Sequence, residues 1–173
     1  VWSPDSKWIA YVQIMENQLK AVHVYNVDEN KSTAITDGLS DVISPQWDES
    51  GKYLYFLAST DYALSTGWLD MSSYNYPVTR ALYMAVLSNE TPNPFDPKSD
   101  EEPTKNNGDS TKPAAPKPAA AKVKIDFAGI DQRIISVNIP VRNYQALEAG
   151  PDGHVFIAEA IPNENGLLLH RYS

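Results

Sequence analysis

Two stretches of this chain share one grammar. Trp2-Ser3-Pro4-Asp5-Ser6-Lys7-Trp8 leads into Ile9-Ala10-Tyr11-Val12, and Trp47-Asp48-Glu49-Ser50-Gly51-Lys52-Tyr53 leads into Leu54-Tyr55-Phe56-Leu57. At a spacing of 45 residues, Trp falls on Trp, Lys7 on Lys52 and the aromatic Trp8 on Tyr53. Each copy reads as a Trp ending one strand, a tight polar turn, and β-branched and aromatic residues starting the next. A third copy, residues 149–158, keeps the turn at Asp152-Gly153 and the apolar strand but has Ala149 in the Trp position. Trp2, Asp5, Lys7, Trp47, Gly51, Lys52, Asp152 and Gly153 are therefore assigned to a structural repeat. Three unrelated hairpins would not align Trp, turn, Lys and aromatic together.

Fixed periods of about 40–50 residues, each with several short strands, mark β-propeller blades. The expected fold class is all-β, with consecutive four-stranded antiparallel blades of an incomplete propeller. Strands are expected at 7–15, 21–27, 32–36, 42–47, 52–59 and 81–87, with β structure resuming at 123–127 and 133–139 and again at 145–147 and 154–160. Short turns between them give a meander. Residues 1–40 then form a partial blade and 141–173 another. Residues 41–140 form a blade carrying a structured loop at 61–80 and a low-complexity insertion at 91–122. Propellers close with about four blades or more, so the chain is expected to be a segment of a longer protein with open blade edges.

The two interruptions differ in kind. Residues 61–80 hold Trp68, Tyr74 and Tyr76 among Ser, Thr, Gly and Pro, too irregular for a strand and without a helical period. Long loops on a rigid scaffold are where function is grafted, although an aromatic loop folded over its own blade explains the same residues. Residues 91–122 alternate Pro with acids and end in Lys-Pro-Ala tracts. Such a sequence lacks donors and apolar surface to offset ordering entropy, so it reads as a disordered or extended excursion between strands of one blade.

A formal charge of −8 argues against nucleic acid as a partner, and the sequence shows no basic stripe to neutralise phosphates, so none is expected. No apolar run approaches a membrane span, so no membrane partner is expected. With no cysteine, disulfides and thiolate sites are excluded. His23, His154 and His170 are the possible imidazole bases, each in a strand or turn position that suits a structural role. No Gly-x-Ser-x-Gly elbow, His-Glu-x-x-His spacing or phosphate-cradling glycine loop occurs. Neither catalytic residues, a metal site nor a cofactor is expected. Trp68, Asp70, Tyr74, Tyr76 and Arg80 are the candidate substrate- or interface-binding residues, because aromatics and Arg most often carry interface energy.

The turn-and-strand unit resembles the WD40-like repeat of the translocation protein TolB, of prolyl oligopeptidase-type enzymes and of tricorn protease. Leu69-Asp70-Met71-Ser72-Ser73-Tyr74 with Pro77-Val78-Thr79-Arg80 is similar to an inter-strand loop of tricorn-like peptidases. So is Ile125-Asp126-Phe127-Ala128-Gly129-Ile130-Asp131-Gln132-Arg133-Ile134 with Pro140-Val141-Arg142-Asn143-Tyr144. The resemblance implies a propeller of a tricorn-type serine peptidase, whose Ser/His/acid machinery lies in C-terminal domains, with a PDZ domain between. No catalytic residue carries over to this chain. Implied partners are oligopeptide substrates of the parent protease, the remaining blades, the C-terminal PDZ and catalytic domains, and a homo-oligomeric parent. The family implies a cytoplasmic setting, with a periplasmic one left open. A TolB-like interaction platform and a prolyl oligopeptidase-type propeller are the alternatives.

Overall fold

The computed structural model describes residues 1–60, 65–66, 69–70, 78–96 and 121–173. Strands β1 (Trp8–Ile14), β2 (Lys20–Asn26) and β3 (Lys31–Ala34) form a first antiparallel sheet in that order. β4 (Asp41–Trp47), β5 (Tyr53–Ser59), β8 (Ala81–Val86) and β9 (Ile134–Ser136) form a central one, and β6 (Ser65–Thr66) pairs with β7 (Leu69–Asp70) as a minimal hairpin. β10 (Tyr144–Ala149), β11 (Val155–Ala160) and β12 (Leu167–Tyr172) form the third. Among the described residues the only helical pieces are 3-10 turns at Ile130–Arg133 and Pro151–Gly153, so the all-β expectation holds.

The repeat appears in the backbone. Ser3 N–H donates to the Trp8 carbonyl (2.9 Å) and Asp48 N–H to that of Tyr53 (3.0 Å). The Lys7 carbonyl accepts from Val27 N–H and the Lys52 carbonyl from Leu87 N–H, both at 3.0 Å. Ser6 (φ 59°) and Gly51 (φ 69°) hold the same left-handed turn position. At Gly51 glycine is required twice over, because a Cβ would also lie 2.9 Å from Val123 Cγ2. The third turn is one residue tighter: Gly150 N–H donates to His154 (2.8 Å), and Gly153 takes the left-handed position (φ 75°).

The two tryptophans are equivalent in register and not in burial. Trp47 is 6% exposed, and its indole N–H donates to the Val1 carbonyl (3.1 Å) in the first sheet. Trp2 bridges Ile9 but is 56% exposed. The first sheet covers Trp47, whereas the described chain places no sheet over Trp2.

β5 shows why stacking is required. Its run Leu54 to Ala58 is apolar without a break and buried on both faces. Leu54, Phe56 and Ala58 pack with Ala10, Val22, Val24 and Ile35 of the first sheet and the β3–β4 connection. Tyr55 and Leu57, with Leu82, Met84 and Val86 of β8, pack with Tyr144, Leu147, Val155 and Ile157 of the third. The central sheet is thus the filling of a three-sheet stack.

Three local expectations need correction. β4 does not run smoothly: Pro45 cannot donate to the ladder, and the register shifts between Ile43 and Gln46 with Ser44 at φ 51°. Residues 123–127 are extended but unladdered. Val123 N–H goes to Asp5 Oδ2 (2.9 Å) and Asp126 N–H to the Leu87 carbonyl (2.9 Å), so this strap lies across two sheets and belongs to neither. Within 61–80, read as too irregular for strands, the β6–β7 hairpin forms.

Candidate functional site

The meander puts the end of β5 at Ser59 and the start of β8 at Ala81 at the end of the central sheet where β4 begins. Asp41 pairs with Ser59 across β4 and β5, and Arg80 immediately precedes β8. Leu87, just after β8, lies at the other end, its N–H bonded to the Lys52 carbonyl of a repeat turn (3.0 Å). Residues 97–120, most of the expected low-complexity insertion, lie outside the described residues.

At the first end the structure gathers charged side chains at and near strand ends. Arg80 and Arg142 exchange backbone hydrogen bonds (2.8 and 3.3 Å), tying the central sheet to the third. Arg80 Nη1 donates to the Tyr144 carbonyl at 2.8 Å. Lys20 Nζ lies 3.5 Å from Asp41 Oδ2. Glu159 Oε2 accepts from Arg142 Nη1 (3.3 Å) and contacts His170 Nε2 (2.6 Å). Burial lowers the Arg80 pKa, and Asp41 acts against that shift. Arg80 Nε and Asp41 Oδ1 are both buried without a hydrogen-bond partner among the described residues.

Each candidate residue of this loop has a distinct outcome. Trp68, Tyr74 and Tyr76 lie outside the described residues. Asp70 has its backbone paired with Ser65 in the β6–β7 hairpin. Arg80 was expected as a charged anchor for a peptide or for the catalytic domain. It is instead 6% exposed, its guanidinium spent on a carbonyl 64 residues away. Lys20, Asp41, Arg142 and Glu159 were not singled out in the sequence. Their common signal is a charge at or beside a strand end, which only the sheet order turns into a cluster.

At the repeat turns, Asp5 accepts from Ser3 Oγ (2.6 Å) and Lys7 N–H (3.2 Å) as well as from Val123. Burial raises its pKa, but these hydrogen bonds outweigh it and hold the carboxyl below its ordinary value. Lys7 pairs with Asp28 at 3.2 Å in solvent, and Lys52 is exposed. Asp152 lies in the Pro151–Gly153 turn.

His170 meets the Glu159 carboxylate, whereas His23 and His154 meet no acid in the described contacts. Ser32 Oγ approaches His23 Nδ1 at 3.5 Å, but His23 Nε2 is buried without a partner, so no acid orients the ring. Burial lowers the His23 pKa. His154 Nδ1 meets the Pro151 carbonyl (2.9 Å). Among the described residues no group of three or more His, Cys, Asp or Glu is placed to hold a metal, and no helix is long and apolar enough to cross a membrane.

A family model described as the tricorn protease second beta propeller domain matches residues 1–165. The chain belongs to this tricorn propeller family. A tricorn-like protease C-terminal subunit of Sulfurisphaera tokodaii is 27% identical over 161 residues, covering 90% of this chain and 16% of that protein. A tricorn protease homolog of Saccharolobus solfataricus is 25% identical over 158 residues, covering 90% of this chain and 13% of that one. The tricorn propeller chain thus spans about a sixth or less of these relatives. The tricorn protease crystal structure superposes with a TM-score of 0.60 at 19% identity, over 95% of this chain and 15% of that one. A TolB structure from Agrobacterium tumefaciens gives 0.53 at 14%, over 94% and 38%. Both share the fold, and the three stacked sheets are part of a propeller.

Proposed function

We propose that this chain is a non-catalytic propeller segment of a tricorn-like serine protease, helping to gate or channel peptides to the active site and to support the catalytic domains. The observation that carries this reading is the family match over residues 1–165. The relatives' names supply the proteolysis, and their greater length leaves room for the catalytic part. The loop at 61–80 is the proposed contact with peptide or catalytic domain. The buried Arg80, fixed between two sheets, serves as its footing.

The test is made in the intact protease. Changing Trp68 and Tyr74 together to Ala is expected to slow cleavage of long peptides more than of short ones, by roughly tenfold if two aromatic anchors are lost. Equal slowing of both lengths would mean a damaged domain interface. No slowing would remove the loop from the mechanism. The TolB likeness favours a second reading, an interaction platform without proteolysis, and an intact protein that cleaves no peptide would establish it.

A further inference from the structure

The first and central sheets part at their outer edges around a cavity of about 210 Å³. Its lining includes Thr36 and Asp37 just after β3, Phe56 and Ala58 of β5, Tyr83 of β8, and Asp131 in the turn before β9. Pockets for whole drug-sized ligands run to roughly 300–1,000 Å³, so this one suits a single side chain. The Phe56 and Tyr83 rings stack at 5.9 Å and 13°, giving the wall an aromatic character. Asp37 and Asp131 are exposed, and among the described residues no Lys or Arg is in the lining. Neither carboxylate joins an ion pair among the described residues. Asp37 Oδ1 accepts from Leu39 N–H (3.0 Å), which fixes that carboxylate in place.

We propose that this cavity binds the basic side chain, Arg or Lys, of a peptide. An aliphatic stem would lie against Ala58 and the rings, while the cationic head stays at the carboxylates and the aromatic faces add attraction. An acidic side chain meets two like charges, and a plain aliphatic one leaves both acids unused. The proposal rests on the peptide-admission reading only for the source of the peptide. In that setting the seam favours substrates with a basic residue.

The test titrates acetyl-arginine amide and acetyl-lysine amide into the intact protein by calorimetry, with acetyl-norleucine amide as the uncharged control. Both cationic probes are expected to bind about tenfold or more tighter than the control, one planar and one compact head separating Arg from Lys preference. The Asp37→Asn and Asp131→Asn double variant is expected to abolish that advantage while melting with the wild type. Should the pair of changes disturb folding, Asp131→Asn alone is expected to weaken both cationic probes, with salt weakening wild-type binding as well. Absent binding, equal binding of all three probes, or cationic binding unchanged in the variants overturns the site. The long-to-short peptide ratio of the Trp68 and Tyr74 variants is a separate readout, so either proposal can fail alone.

Discussion

The two seams of the central sheet follow one plan and close differently. Toward the third sheet, β5 and β8 meet Tyr144, Leu147 and Ile157, which are large and almost fully buried. The Tyr144 hydroxyl donates to the Pro140 carbonyl (2.8 Å) and meets that of Tyr172 (3.2 Å). Burial first, and that bond to Tyr172, raise its pKa, so the phenol stays a neutral donor. Toward the first sheet, the facing strand residues include Ala10, Val22 and Val24. Less side-chain volume reaches across from these three strand positions than from Tyr144, Leu147 and Ile157, and the strap brings Val123 and the turn Ile130 into the core. The outer part stays open as the cavity. Alternation decides that a face is buried; summed volume decides whether the seam seals.

The largest expected effect breaks the sealed seam. Tyr144→Ala removes a fully buried aromatic and is expected to cost about 3–5 kcal/mol. Urea unfolding followed by tryptophan fluorescence measures it, and a cost below about 1 kcal/mol would show that this seam is loose as well.

A pair of enlargements sharpens the contrast. Val155→Leu adds volume at a buried position of the third-sheet seam and is expected to cost about 1–3 kcal/mol, whereas Ala58→Val, beside the cavity, is expected to stay within about 1 kcal/mol of wild type. Thermal melts of the two variants rank the seams, and the reverse order would mean the cavity fills in solution.

The smallest effect concerns the strap over the open seam. The folded Asp5 carboxyl titrates below its ordinary 3.8. A depressed acid contributes stability that is complete above the unfolded value and fades as pH falls through the folded one. Asp5→Asn is therefore expected to be modestly less stable than wild type at pH 6, with the gap closing as pH falls below 3.8. A gap constant from pH 6 to pH 2.5 would mean that the Val123 hydrogen bond works without the charge.

How much of this the sequence disclosed depends on the range of the interaction. The strands were legible because alternation and turn chemistry are local, as in Ala21 to Asn26 or the Asp28-Glu29-Asn30 turn. The unbroken apolar run of β5 was visible, but its burial on both faces becomes plain only once the flanking sheets are in place. The bulge at Pro45 was signalled by the proline itself and passed over. Arg80 could not be placed, since a polar residue beside an irregular loop reads as exposed until its partner, far along the chain, is known. The charged cluster and the cavity were invisible for a related reason: they belong to pairs of sheets, and no single stretch encodes them.

The repeat turns carry one further lesson. In the first, Ser3 Oγ donates to Asp5; in the second, Ser50 Oγ donates to Asp48. Acid and hydroxyl have traded places, and the bond between them survives. An ancestor and descendant related by this exchange differ at both positions, although nothing in the turn has moved. The single-step routes between them are unequal. Two aspartates would set like charges within hydrogen-bonding distance, while two serines keep a neutral bond. A count of identical residues scores this turn as unrelated twice over, and kinship among such blades is better traced through which atoms meet than through which letters recur.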